Sequence, residues 1–220
     1  MPTMYETIME LPLFKGIGEE QLNQMLEKTK IGFLKYDDGA IIAQVGDPVR
    51  AIDFVLSGRV RNTYKLLNLP IEIDEIIGKG AMIGATRIYG LDTEYCATST
   101  ALGRVSVMNV EKKQYMNILQ SDKIYILNFV NYLSAAAQKG QKLMIQQKEN
   151  SIRNTLLNLV LSVASRAAET VVICAADEVL AKYCGVSPDE FELWKVGELA
   201  HNRIMVNARG IVLKSAHLLK

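Results

Sequence analysis

The chain has no excess of charge of either sign: its 220 residues carry 25 Lys and Arg against 24 Asp and Glu, a formal net charge of +1. A balance so close to zero draws the whole molecule to neither nucleic acid nor an anionic membrane, so any such attraction must come from local clusters. Cysteine is scarce. Cys96, Cys174 and Cys184 are odd in number and contain no C-x-x-C pair, which excludes a disulfide framework, a zinc site and a four-cysteine iron-sulfur cluster. Buried or semi-buried thiols are the expected state of all three. The two histidines, His201 and His217, both fall near the C-terminal end, so a haem held by an N-terminal histidine is excluded. No stretch reaches the ~20 apolar residues of a membrane span, and the opening segment Met1–Phe14 lacks a basic run ahead of an apolar one. No membrane partner is expected, and the cytoplasm is the expected compartment. Nucleophile–base pairs, paired carboxylates in a cleft and phosphate loops are also missing, which makes an enzyme the least supported class.

What is present is a hydrophobic fraction of 49%, enough for one large core or two modest ones. Between Gly32 and Gly103 the chain is punctuated by Asp37-Asp38-Gly39, Gly46-Asp47-Pro48, Ser57-Gly58, Asn68-Leu69-Pro70, Gly78-Lys79-Gly80 and Gly90-Leu91-Asp92. Short runs rich in Ile, Val, Phe and Tyr lie between these turns, a pattern that predicts an antiparallel sandwich or barrel. Ahead of it, Glu19 to Leu26 reads as a short amphipathic helix.

From about Glu111 glycine and proline vanish until Gly140. Ile126, Val130, Leu133, Ala137, Gly140 and Met144 alternate spacings of four and three, a heptad seam, and a second apolar stripe of Tyr125, Phe129, Tyr132 and Ala136 runs beside it. One stripe suffices to cover a barrel. The other predicts a parallel two-fold copy of the chain, with Ile126, Val130, Leu133, Ala137 and Met144 at the interface. The joint to a second, smaller domain is expected at Lys139 to Lys142 or at Gln146 to Asn150. After it, Ile152, Leu156, Leu159, Val160 and Val163 trace one face of a helix. Ile204 to Val206, the turn Asn207 to Gly210, and Ile211 to Leu213 read as a hairpin of the kind called a wing.

In this order the residues resemble the Crp/Fnr family of bacterial transcription regulators. Leu11-Pro12-Leu13-Phe14-Lys15-Gly16-Ile17 is similar to that family's opening segment. Val45-Gly46-Asp47-Pro48, followed by Phe54-Val55-Leu56-Ser57-Gly58-Arg59-Val60, is similar to its paired tight turns, where Gly46 and Gly58 supply backbone angles closed to other residues. Val179-Leu180-Ala181-Lys182-Tyr183-Cys184-Gly185-Val186-Ser187 resembles its helix-turn-helix. The resemblance implies an α+β protein: an N-terminal double-stranded β-helix or jelly-roll of cyclic-nucleotide-binding type with a long dimerisation helix at about 111–145, together spanning 1–148, then a winged helix-turn-helix over 149–220. It implies a homodimer on double-stranded DNA that answers to a small-molecule effector, with RNA polymerase a further candidate partner.

Two departures bear on function. The family's cyclic-AMP site uses a Gly-Glu-Leu turn and an Arg-Ser pair, and the matching residues here are Gly84-Ala85-Thr86 and Tyr95-Cys96. Without the arginine a buried phosphate would be poorly paired, at a cost of roughly several kcal/mol, so cyclic AMP in the usual mode is not expected. Gly84, Thr86, Arg87, Tyr95 and Cys96 are the residues expected around an effector, which stays unidentified; no cofactor is assigned. The second departure lies in GVSPDEFELWK, Gly185 to Lys195. Gly185 makes the turn, Ser187 caps the second helix and Pro188 opens it, while Asp189 and Glu190 suit the positive end of its dipole. The family's arginines are absent, and from Ser187 to Ala200 four acids face Lys195 alone. DNA contacts are therefore expected from Lys182, Ser187, Lys195, Arg203 and Arg209. The rival is a sensor or protein-interaction module whose winged domain no longer binds DNA specifically, its acidic helix facing a basic protein.

Overall fold

A computed structural model describes residues 4–145, 151–165 and 167–214. Two compact units divide the chain: Met1–Val60 with Gly78–Gln138, and Arg61–Ile77 with Lys139–Lys220.

The first unit opens with helices α1, Met4–Met9, and α2, Glu19–Lys28, the latter where the amphipathic spacing places it. An antiparallel β-roll comes next, built on the strands β1 (Gly32–Tyr36), β2 (Ile41–Ala43), β3 (Ala51–Lys65), β5 (Met82–Ile83) and β6 (Thr98–Glu111). Long β6 pairs with β2 near its start and with β1 over Val105–Asn109, and β5 pairs with β3 at Asp53 and Phe54. Gly58 holds φ at +86°, and a Cβ there would stand 2.3 Å from the Arg104 carbonyl oxygen. Only glycine permits that approach.

The apolar stretch after the roll forms two helices, α3 (Lys112–Ser121) and α4 (Lys123–Ile145), where the sequence suggests one. Asp122 makes the break: its backbone is extended and its carboxylate accepts from the Ile124 amide at 2.9 Å, which starts α4 afresh. The α4 stripes separate as their phase demands. Tyr125 and Phe129 are buried with Phe14, Phe54 and Tyr115 in edge-on ring contacts, while Ile126 and Val130 remain 46% and 49% exposed. Leu133 packs partly on the same core and Ala137 is exposed. From Gly140 onward the side chains of α4, that of Met144 among them, lie outside the described residues, as does the suggested joint at 146–150.

In the second unit helix α5, Ile152–Val163, buries Leu156, Leu159 and Val160, the face its spacing marks. Strand β7 (Ala168–Cys174), helices α6 (Asp177–Cys184) and α7 (Pro188–Ala200), and the hairpin β8 (Met205–Asn207) and β9 (Gly210–Lys214) complete its C-terminal part. Strand β4, Glu72–Ile77, belongs here too. It pairs antiparallel with β7 from Glu72 opposite Cys174 to Ile77 opposite Ala168, giving a sheet ordered β4-β7-β9-β8. A division at residue 148 does not anticipate that strand, which arrives from far upstream in the sequence.

Candidate functional site

Two places carry the residues singled out by the sequence. In the first unit, Gly84 takes φ +83°, and a Cβ on it would lie 2.9 Å from Val49 Cγ1 and 3.2 Å from Tyr95 Cε1. The Tyr95 ring thus covers the turn. Ala85 is turned inward, 2% exposed and packed with the Phe54 and Ile88 core, so no carboxylate reaches out from that position. Arg87 pairs with Asp92, and its guanidinium also interacts with Cys96. Thr86 is exposed. Cys96 is exposed as well, a correction to the packed thiol expected for it; Tyr95 beside it carries the burial instead. Gly84 with Tyr95, and Arg87 with Cys96, are the pairs the fold brings together.

The electrostatics around Tyr95 are anionic. Asp53 on β3 is 4% exposed, accepts from Asn109 Nδ2 at 2.7 Å, and has its pKa raised by burial against the opposing pull of that bond. Burial pushes the Tyr95 hydroxyl up to about 12, with Asp53, Tyr36 and Asp47 adding to the shift. Beside Tyr95 opens a cleft of about 460 Å³ lined by Ile41, Gln44, Asp47, Pro48 and Arg50. Sequence reasoning noted Gly46-Asp47-Pro48 only as a turn; Arg50, two residues beyond it, carried no signal of its own.

Because the folded state holds the Asp53 proton more tightly than the unfolded chain does, stability falls as pH rises from the unfolded pKa through the folded one, and stays lower above it. Asp53→Asn keeps an acceptor for Asn109 and removes that charge. It is expected to raise the melting temperature of the first unit by roughly a few degrees at neutral pH, with the gain fading toward pH ~4. Thermal unfolding across pH checks this; a gain that persists at low pH would contradict it.

In the second unit α6 and α7 are joined as the local chemistry dictates. Gly185 sits left-handed at φ +73° and its amide returns to the α6 carbonyls, while Ser187 Oγ accepts from the Glu190 amide at 3.2 Å with Pro188 opening the helix. Leu180, Ala181 and Phe191 are buried between them, and Trp194 rests on Phe191 with ring centroids 5.3 Å apart.

The cations expected to reach DNA fare unequally. Lys195 is largely covered and held by both Asp177 and Glu192. Arg203 donates to Glu198 at 3.0 Å, and Arg209 Nη2 lies 2.8 Å from Asp74, a carboxylate only 1% exposed. Thr63 also donates to Asp74, at 2.7 Å, and the Arg209 side chain is itself about half exposed. Lys182 and Ser187 are exposed. Lys214 lies on β9, its side chain outside the described residues. Near Arg209, burial and Asp74 push the Cys174 thiol pKa up, and burial pushes Cys184 up to about 11. Among the described residues no group of His, Cys, Asp and Glu could hold a metal ion, and no helix is long and apolar enough to cross a membrane.

The roll is recognisable: residues 33–122 match the family model of the cyclic nucleotide-binding domain. Across the chain the fold is similar to that of several solved regulators. The catabolite activator protein of Thermus thermophilus is 19% identical, with 94% of this chain and 95% of that one covered at a TM-score of 0.55. The sensor domain of the transcriptional regulator DNR from Pseudomonas aeruginosa is 20% identical over 67% of this chain and 96% of that one, TM-score 0.50. The c-di-GMP-responsive global regulator CLP of Xanthomonas campestris is 14% identical over 90% and 100%, TM-score 0.50. No curated protein matches the sequence.

Proposed function

We propose that the protein is an effector-responsive, homodimeric transcription regulator of the Crp/Fnr type, whose second unit is a winged helix-turn-helix acting on double-stranded DNA. The observation that carries this reading is the local build of that unit. Two helices meet at a left-handed glycine, the second is capped by Ser187, and the hairpin β8–β9 extends beside them. Each is what a DNA-docking head requires, and together they follow a cyclic-nucleotide-binding roll and a long helix with an exposed apolar row.

In this reading α4 joins two copies of the chain, and an effector in the roll shifts the spacing of the two heads about the ~34 Å of one DNA turn. Cyclic AMP bound in the usual mode is disfavoured, because the Tyr95 ring covers the Gly84 turn, Ala85 offers no carboxylate and Arg87 is engaged with Asp92. The cleft beside Arg50 and Tyr95 is the candidate place for a different small ligand. RNA polymerase is a candidate partner once DNA is bound. Lys182 and Ser187 supply the phosphate contacts.

Retardation of duplex DNA from the promoter of its own gene, across a salt series, tests the reading. The affinity is expected to fall with rising salt, and Lys182→Ala to weaken binding and reduce the slope of log K on log salt by about 1. A complex that is absent, or that ignores salt, would overturn it.

A further inference from the structure

The cleft beside Tyr95 presents charges of both signs, and neither is engaged. Asp47 and Arg50 both line it and both are exposed. Among the described residues neither side chain has an ion pair or a hydrogen bond, so they do not pair with each other either. Lys112, whose amide donates to the Arg50 carbonyl at 2.8 Å, places its ammonium over the Tyr89 ring. Gln44 adds a neutral acceptor, because its Nε2 donates to Thr98 Oγ1 at 3.2 Å and leaves the lone pairs of Oε1 open. The Tyr95 hydroxyl, which burial keeps protonated and no described side chain bonds, adds a donor. Ile41, 57% exposed, gives the cleft an aliphatic wall with Ile42 and Pro48.

The frame that carries these groups is set by the backbone. The Tyr95 carbonyl accepts from the Gly46 amide at 2.8 Å, the Tyr95 amide donates to the Asp47 carbonyl at 2.9 Å, and the Val49 amide donates to the Thr93 carbonyl at 2.7 Å. A ligand entering such a frame has little left to order.

Charge selects among the ligands. A bare anion would find Arg50, but Asp47 shares the cleft and exposed Glu94 is bridged to Pro48, while Arg87 and Asp92 nearby neutralise one another. Two carboxylates against one guanidinium disfavour it. A bare amine would pair with Asp47 and sit uncompensated beside Arg50. A ligand with an ammonium, a carboxylate and an apolar tail satisfies every group: the ammonium donates to Asp47 and Gln44, the carboxylate accepts from Arg50 and Tyr95, and the tail lies on Ile41 and Ile42. At about 460 Å³ the cleft has room for a molecule of that size.

We propose that this cleft binds a free apolar α-amino acid as its zwitterion. The assignment rests on the reading of the cleft as the effector site and names the class of effector. Its test is made without DNA, so a failed titration and a failed retardation assay are separate results.

The intact protein is titrated with L-leucine, L-isoleucine, L-methionine and L-phenylalanine, followed by calorimetry and by amide shifts. Each is accompanied by its N-acetyl derivative, which lacks the ammonium, and by its amide, which lacks the carboxylate. At least one of the four is expected to bind with Kd below about 1 mM, and both of its derivatives at least about fivefold more weakly. Two variants at exposed positions separate the charges. Asp47→Asn is expected to weaken the amino acid about fivefold and its N-acetyl derivative not at all; Arg50→Gln is expected to weaken the amino acid about fivefold and its amide not at all. Both should unfold at an unchanged temperature, and the shifts should cluster on residues 41–50 and Tyr95. The proposal is overturned if none of the four binds below about 1 mM, if either derivative binds within about twofold of its parent, or if the shifts fall away from the cleft.

Discussion

An Ile126→Asp, Val130→Asp double variant is expected to sediment as a monomer at concentrations where the unaltered chain sediments as a dimer. Both side chains lie on the α4 row that its own unit leaves about half exposed, so the substitutions remove nothing from the core beneath Tyr125 and Phe129. In a two-fold interface each position counts twice. Half-burying four aliphatic side chains is worth about 1 kcal/mol apiece, so their loss costs about 4 kcal/mol, roughly a thousandfold in the dimer dissociation constant. The added carboxylates face one another across the axis and deepen that loss. The melting temperature of the monomer should stay near that of the unaltered first unit, which separates a broken interface from a broken fold. An unaltered chain that sediments as a monomer, or a double variant that remains a dimer, would remove α4 from the interface.

The second large effect concerns a carboxylate that the fold encloses. Glu75 on β4 is fully buried and accepts from Asn62 Nδ2 at 3.0 Å, from the Tyr64 hydroxyl at 3.1 Å and from the backbone amide of Ser165. It therefore ties two separate pieces of the second unit, the end of β3 and the segment after α5, to β4 through one side chain. Glu75→Leu fills similar space and withdraws the acceptor from all three donors. At about 1 kcal/mol or more for each donor deprived of a buried partner, the second unit is expected to lose about 3 kcal/mol. Glu75→Gln, which keeps one carbonyl oxygen, should lose about a third as much. Urea unfolding of the two variants decides the matter: a leucine variant within about 1 kcal/mol of the unaltered protein would mean that water replaces the carboxylate.

Much of this architecture was legible because it is local. Gly185, Ser187 and Pro188 announce a turn, a cap and a first helical position whatever surrounds them, and the structure uses each that way. The α4 stripes could be counted from spacing alone, and burial separates them along that line. What stayed hidden is non-local. Asp74-Glu75 looks like an ordinary pair of surface acids on a half-buried strand, yet the two are 1% and 0% exposed. Their partners, Thr63, Arg209, Tyr64 and Ser165, come from three distant stretches of chain, and no spacing within β4 encodes them. For the same reason the sequence offered Arg209 to DNA at the wing tip, where its charge balance pointed, while the fold gives its guanidinium to Asp74. The break at Asp122 was obscured differently: neither glycine nor proline marks it, and an aspartate that ends one helix by capping the next looks like any other polar residue in an amphipathic run.

The chain holds a single tryptophan, Trp194 on α7, and nine tyrosines, of which Tyr5, Tyr36, Tyr89, Tyr95, Tyr115, Tyr125 and Tyr132 belong to the first unit. Light absorbed beyond the tyrosine band therefore excites a chromophore in the second unit alone, one seated against Phe191. The protein carries its own optical label for one half: indole emission follows the disassembly of the α6–α7 head, while events confined to the roll leave it dark to that wavelength and must be followed through tyrosine or circular dichroism.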